Sequence, residues 1–335
     1  MSNKQIDFLA IGDIVVDAFI KIEDAKVEKD KDKGIFNLCI SFGNKIPYKF
    51  VEVVYAVGNS PNASVSASRL GLNSSLVTSI GGDLEGQRCL DKLKEDEVST
   101  EFITKHDEFP TNYHYVLWYE AERTILVKHQ DYPYEFPELE TPPKWIYLSS
   151  LSENSLPYHS AIAEYVKANP EVKLTFQPGT FQMSLGYEKL KDIYQHSELF
   201  FCNVEEAKEI IGKKNKKIEI NDLLKETRDL GPKIVVITDG PEGAYTYDGE
   251  EMWYMPLYPD PKPPVDRTGA GDSFASTFTS ALALGKSIPE AIQWAPINSM
   301  SVVQEIGAQK GLLSKEKLKE YLENKPDGYE PRKIG

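Results

Sequence analysis

Cysteine is nearly missing from this chain. Cys39, Cys89 and Cys202 are three in 335 residues, odd in number, far apart and without the paired spacing of a metal knuckle. That excludes a disulfide framework or a zinc ribbon and fits buried, reduced thiols in a reducing compartment. Histidine is almost as scarce: His106, His114, His129, His159 and His196 show neither metal nor triad spacing, so surface or lid positions are expected for each. Basic charge is also short, with 38 Lys and Arg against 52 Asp and Glu and a formal net charge of −14. Nucleic-acid binding needs clustered cations to displace counterions, so no nucleic-acid partner is expected. No apolar run reaches the roughly 18–20 residues of a membrane helix, and the polar start, Met1 to Gln5, holds no signal-peptide core. No membrane partner is expected either, and the expected location is the cytoplasm.

What is present is an ordinary globular composition, 41% hydrophobic and 27% charged, without internal repeats. An apolar strand, Ile6–Ile11, ends in Gly12-Asp13 with Asp17 close behind, where α/β sheets put ligand-facing turns. Strand and helix patterns then alternate: helix Ala63–Leu70, strand Leu76–Ile80, helix Gly86–Glu95, strand Trp145–Leu148, helix Pro157–Ala168, strand Lys173–Phe176. Leu199–Cys202 and Ile234–Thr238 read as further buried parallel strands, and helices near Pro289–Ile306 and Lys315–Glu323 close the chain. This alternation predicts one large α/β sheet over residues 1–335. The run Lys213–Lys217 reads as a solvated loop.

Two segments break the pattern. Ile35–Val57 and Tyr113–His129 are rich in aromatic and β-branched residues and read as antiparallel strands. Phe36, Leu38, Ile40 and Phe42 would share one strand face. Tyr113, Tyr115, Leu117 and Tyr119 would share another, opposite His114, Val116 and Trp118. Both faces therefore carry apolar groups. This predicts a small β-sheet lid, about residues 18–56 and 111–130, with one face over a substrate and the other pairing with a second copy in a two-fold homodimer.

The most specific stretch is Val265-Asp266-Arg267-Thr268-Gly269-Ala270-Gly271-Asp272-Ser273-Phe274. Gly269, Ala270 and Gly271 leave their amides open to an anion, beside the positive end of a helix marked by Phe274, Phe278, Ala281 and Leu282 and stopped by Gly285. A carboxylate at Asp272 repels phosphate but can take a proton from a hydroxyl attacking phosphorus. The plainer alternative is that Asp272 only complements the helix dipole. Other motifs fall away. Ser280–Ser287 ends like a phosphate-binding Walker loop but lacks its first glycine and lies in and after a helical pattern. Phe274 stands where a dinucleotide fingerprint needs its third glycine.

Asp266–Phe274 resembles the C-terminal signature of the ribokinase-like (PfkB) carbohydrate and nucleoside kinases. Gly58-Asn59-Ser60-Pro61-Asn62-Ala63, Arg69-Leu70-Gly71, Gly81–Gly86, Asn203–Glu206 and Thr238–Ala244 resemble that family's other motifs in order, with Val57 where many members carry a glycine. The resemblance implies a three-layer α/β/α Rossmann-like sheet with a β lid, and transfer of the γ-phosphoryl of ATP to a primary hydroxyl of a sugar or sugar-like substrate. Alternatives within it are a nucleoside kinase and a non-catalytic sensor; a free sugar, a nucleoside and a phosphorylated sugar all stay open as acceptors. Asp272 would be the base, and the amides of Gly269, Ala270 and Gly271 the anion hole. Asp13, Asp17, Gly58, Asn59 and Asn62 would hold substrate, with Arg123 between the lid strands meeting a charged group on it. Asn62 could instead cap the following helix. Asn203 and Glu206 would organise Mg2+ through water, or form only a capping box. Thr238, Gly240, Thr268, Gly307 and Ala308 would line ATP or be plain turn residues. The expected cofactors are ATP and Mg2+, with a monovalent cation such as K+ as a further candidate.

Overall fold

The computed structural model describes residues 5–30, 34–120, 122–214 and 216–335. Of the stretches read above, residues 1–4 of the polar start, residues 31–33 and 121 of the lid segments and residue 215 of the lysine-rich loop lie outside the described residues.

In chain order the strands are β1 (Phe8–Ile11), β2 (Val15–Ile22), β3 (Lys26–Lys29), β4 (Phe36–Cys39), β5 (Tyr48–Val57), β6 (Ser74–Gly81), β7 (Ile103–His106), β8 (Tyr113–Tyr119), β9 (Glu122–Leu126), β10 (Trp145–Leu148), β11 (Lys173–Phe176), β12 (Ser197–Asn203), β13 (Ile234–Thr238), β14 (Ala244–Tyr247), β15 (Met252–Met255) and β16 (Arg332–Lys333). The α-helices are α1 (Asn59–Arg69), α2 (Leu84–Glu95), α3 (Leu156–Ala168), α4 (Thr180–Leu185), α5 (Tyr187–His196), α6 (Val204–Ile210), α7 (Ile220–Arg228), α8 (Ala270–Ala283), α9 (Ile288–Val302) and α10 (Lys315–Glu323).

Ten strands form one sheet in the order β16-β15-β14-β13-β12-β11-β10-β1-β6-β7. Neighbours from β13 to β7 are parallel; β14, β15 and β16 add an antiparallel edge. The pleat sorts side chains into two cores. In β1, Phe8 and Ala10 enter one core while Leu9 and Ile11 enter the other. The first core is closed by α1, α2, α8, α9 and α10, the second by α3, α5, α6 and α7. The result is the three-layer α/β/α arrangement expected. Strands covered on both faces must be apolar throughout, which is why Trp145–Leu148, Lys173–Phe176 and Ile234–Thr238 were legible as runs.

The small sheet departs from expectation in its make-up. Its order is β5-β2-β8-β9, so its inner strands are β2 and β8, which pair parallel and not antiparallel as expected; β2 follows β1 almost directly, and only its residues 18–22 lie within the expected lid segment. Phe36, Leu38, Ile40 and Phe42 do not share a strand face: β4 pairs with β3 in a separate hairpin, and Ile40 and Phe42 lie beyond its end. Tyr113, Tyr115, Leu117 and Tyr119 do lie on one strand, β8. Register matters here. Asp17 of β2 is paired with His114 of β8, and Trp118 of β8 with Arg123 of β9, so Asp17, His114 and Arg123 share one face. Ile20, Val51, Tyr115 and Leu126 share the other. The first of the two closing helices is also shorter than expected, running Ile288–Val302 and not to Ile306.

Candidate active site

The chain enters α8 through Gly269, whose φ of +78° lies in the left-handed region that glycine tolerates. A Cβ at that position would fall 2.3 Å from the Ala308 Cβ, so the turn can close only on glycine. No side chain caps the helix, which leaves its first-turn N–H groups and dipole directed at whatever lies before it.

Asp272 stands in that first turn. Its Oδ1 accepts from the Asn59 amide at 2.9 Å and from the Gln177 amide at 3.2 Å, and its Oδ2 accepts from the Asn62 amide at 2.9 Å. Burial pushes this carboxyl above its ordinary range, and the three amides, by favouring the charged form, pull it partly back. Gln177 was not foreseen; it follows β11 and is itself held by the buried Tyr147 hydroxyl, which donates to its Oε1. Asn62 does not cap α1, because the helix starts earlier, with Gly58 at its N-cap. Asn62 instead joins Asp272 to Gln309, whose amide donates to the Asn62 Oδ1 at 3.1 Å. Gly58 adopts φ +122°, and a Cβ there would meet the Asp13 carbonyl at 2.6 Å. The neighbouring Val57, by contrast, needs no such conformation and ends β5.

Two cavities share Asn59 and Ser150, with Gly271 lining one and the adjacent Asp272 the other. One, beneath the small sheet, is lined by Asp13, Asp17, His114, His129, Thr268 and Asp272, among others. Asp13 accepts from the hydroxyls of Tyr134 at 2.7 Å and Ser152 at 3.0 Å, and lies 3.2 Å from His129 Nδ1. His114 Nδ1 lies 3.4 Å from Asp17 Oδ1, and the two imidazoles are 5.1 Å apart. Among the described residues, Asp17 Oδ1 and His114 Nε2 are buried without a hydrogen-bond partner. The expectation for the histidines holds for His114 and His129, which lie in the Tyr113–His129 segment, and needs correction for His106 and His159, which are buried. His114 and His129 are walls of the cavity, while His159 is a core residue, bonded to the Ser155 carbonyl and Gln182 and disfavoured by burial from taking a charge.

The other cavity is lined by Gln177, Asn203, Glu206, Thr238 and Gly271. Asn203 and Glu206 do form a capping box: the Asn203 side chain accepts from the Glu206 N–H at 2.9 Å, and Glu206 Oε2 accepts from the Asn203 N–H at 2.8 Å. Burial raises the Glu206 carboxyl, and the Asn203 N–H partly offsets that. Gly240 sits in an exposed turn after β13, outside this wall. Thr268 and Ala308 line the first cavity instead, and the Gly307 N–H donates to Asp266 Oδ2 at 2.9 Å. No group of three or more His, Cys, Asp or Glu among the described residues could hold a metal by itself.

Arg123 is not a free arginine on an exposed hairpin. From β9 it reaches the anion turn, where Nη1 lies 2.5 Å from Asp266 Oδ1 and donates to the Thr268 hydroxyl. Asp266 is buried and also accepts from the Thr268 N–H at 2.6 Å. One buried carboxylate therefore ties together the small sheet, the turn before α8 and the loop after α9.

Residues 42–315 match the model of the pfkB family carbohydrate kinases. An ATP-dependent 6-phosphofructokinase from Thermoanaerobacterium thermosaccharolyticum is 25% identical over 318 residues, 91% of this chain and 90% of the relative. Among solved structures, ribokinase from Arabidopsis thaliana complexed with ribose and ATP superposes with a TM-score of 0.79 at 19% identity, covering 95% of this chain and 99% of that one. The nucleoside kinase of Methanocaldococcus jannaschii gives 0.76 at 20% identity, covering 96% and 100%. No helix among the described residues is long and apolar enough to cross a membrane.

Removing one partner of a buried ion pair leaves the other charge uncompensated. Arg123→Ala is therefore expected to lower the unfolding free energy by about 3–5 kcal/mol, measured by urea denaturation. A loss under about 1 kcal/mol would show that Asp266 does not depend on Arg123.

Proposed function

The chain belongs to the pfkB family of carbohydrate kinases and is an ATP-dependent kinase of a sugar or nucleoside; on that premise we propose that it moves the γ-phosphoryl of MgATP to a primary hydroxyl held beneath the small sheet, with Asp272 as the base. The observation that carries this reading is the Asp272 carboxylate, fixed by three amides from two other elements where the two cavities meet. A carboxylate so held has one task left: to accept the proton of a hydroxyl that attacks phosphorus. The N–H groups of Gly269 and Gly271, together with the α8 dipole, would stabilise the charge that develops on the transferred group, while the Ala270 N–H also donates to the Arg267 carbonyl at 3.4 Å.

Asn59 and Asn62 act mainly as positioning residues for the base, since both amides are spent on it. Acceptor hydroxyls then fall to Asp17 and His114, with Asp13 held behind them by Tyr134 and Ser152. On the other side, Thr238 borders the nucleotide. Glu206 and the Asn203 amide offer hard oxygen donors at a cavity wall, which suits Mg2+ held through water. Bound there, Mg2+ would neutralise charge on the β- and γ-phosphates. A monovalent cation such as K+ has no part in this reading. Cys89 and Cys202, buried and unpaired, fit the reducing cytoplasm.

We read residues 1–335 as one kinase domain in which the small sheet is the lid. Its inner face, with Asp17, His114 and Arg123, closes on the acceptor and limits access of water to the phosphoryl group. Its outer face leaves Val51, Tyr115 and Leu126 about half exposed, which supports pairing with the same face of a second copy.

A panel of acceptors scored by ADP release identifies the substrate. With the best acceptor, Asp272→Asn should bind MgATP as the parent does and lose roughly 10²–10⁴ in turnover. Retention of more than half the turnover would remove Asp272 as the base. Light scattering at micromolar concentration should give twice the 37.8 kDa chain mass, and the monomer mass at every concentration would overturn the lid-to-lid dimer.

A further inference from the structure

An amide side chain has a donor end and an acceptor end and can sit either way round, so each amide on Asp272 needs a neighbour that settles its orientation. Asn62 takes that setting from Gln309, a buried residue on the loop after α9. The Gln309 Nε2 donates to the Asn62 Oδ1 at 3.1 Å and to the backbone carbonyl of Ala56 at 2.7 Å. A backbone carbonyl only accepts and cannot turn over, so Ala56 decides which end of the Gln309 amide faces it. The same nitrogen then faces Asn62, which must answer with its oxygen and present its own nitrogen to Asp272 Oδ2 at 2.9 Å. Orientation thus passes from the backbone to the carboxylate. Both hydrogens of the Gln309 Nε2 are used, a task that a glutamate, with acceptors only, could not perform.

The Ala56 end of this chain is itself unusual. Ala56 lies at the end of β5, where the small sheet passes through Val57 and Gly58 into α1, and its φ of +59° is in the left-handed region. An alanine adopts that conformation at a steric cost, and here its N–H donates to the Cys89 sulfur at 3.3 Å while its carbonyl accepts from Gln309. Gln309 is anchored in turn, because its carbonyl accepts from Arg69 Nη1 at 2.8 Å and Arg69 is paired with Asp96.

We infer that Gln309 is a positioning residue for the base: one side-chain amide grips the Ala56 carbonyl at the joint between the small sheet and α1 and, through Asn62, fixes a donor on Asp272. This rests on the reading of Asp272 as the base. A shift of the joint that carried the Ala56 carbonyl away would free the Gln309 amide and, with it, the Asn62 amide. The placement of the small sheet and the state of the carboxylate are coupled through these two side chains.

Gln309→Met keeps the bulk of the side chain and removes both donors. With MgATP and the best acceptor of the panel, kcat should fall by roughly ten- to a hundredfold while KM for MgATP stays within about twofold, because a misplaced base slows the chemical step and not nucleotide binding. A donor to a carboxylate favours its charged form, so losing one raises the midpoint of Asp272. The acid limb of kcat/KM should therefore move up by about one pH unit. Asp13, Asp17, His114 and His129 on the same cavity wall, and Tyr147 behind Gln177, are common to parent and variant. In Asn62→Ala the chain is already cut, so adding Gln309→Met should move the limb no further, whereas unconnected sites would add. An unmoved limb in Gln309→Met, or a full second shift in the Asn62→Ala background, would overturn the proposal and leave Asp272 as the base. A limb that persists in Asp272→Asn would overturn that reading too. If Gln309→Met does not fold, Gln309→Asn, one methylene shorter and still uncharged, is measured for the same loss of kcat and the same direction of shift. Failure of both to fold would make Gln309 a packing residue and remove the assignment.

Discussion

The site depends on one contact set: a single carboxylate, Asp272, gathering amides from residues far away in sequence. Asn59 and Asn62 lie more than 200 residues before it, on α1, and Gln177 lies 95 residues before it, after β11. These bonds hold three elements at fixed distances and so define where the two cavities meet. They also act on the charge of the Asp272 carboxyl. A buried carboxylate without partners would be driven to its neutral form, and one with too many donors would be too weak a base; here burial and amides oppose each other. The Asn62–Gln309 and Gln177–Tyr147 bonds extend the frame outward, so the amides themselves have little freedom.

A second carboxylate, Asp266, gathers a comparable set of contacts. It binds the Thr268 and Gly307 amides and takes Arg123 of the small sheet as its cation. The turn before α8 and the small sheet are thus joined through a buried charge pair. On either side of Asp272 the linings differ: Gly271 at the start of α8 with Asn203, Glu206 and Thr238 on one side, Asp13, Asp17, His114 and His129 on the other.

Much of this was legible in the sequence, for reasons of local physics. Parallel strands buried on both faces must be apolar runs, and Trp145–Leu148 and Ile234–Thr238 emerged with their observed bounds. The Gly269–Asp272 turn was legible because small residues, a helix start and an acid leave few other uses. What escaped required long-range register. β2 was hidden because it follows β1 with almost no turn signal. The histidines looked scattered because only the β2–β8 pairing brings His114 to Asp17. Arg123 in a hairpin looked free, and nothing near it in sequence names Asp266, 143 residues on. Gln177 had no motif around it; its position just past a strand that ends at the ligand-facing edge was the one available signal.

The central claim is that Asp272 acts as a base whose carboxyl is raised by burial. The pH dependence of kcat/KM tests it most directly. The base must be ionised, so activity should fall as the pH drops through the Asp272 midpoint, and that acid limb should lie above the ordinary aspartate value of 3.8. In Asp272→Asn the limb should vanish, leaving a low residual rate that is flat over the same range. An acid limb at or below the ordinary value, or one that persists unchanged in Asp272→Asn, would contradict the account.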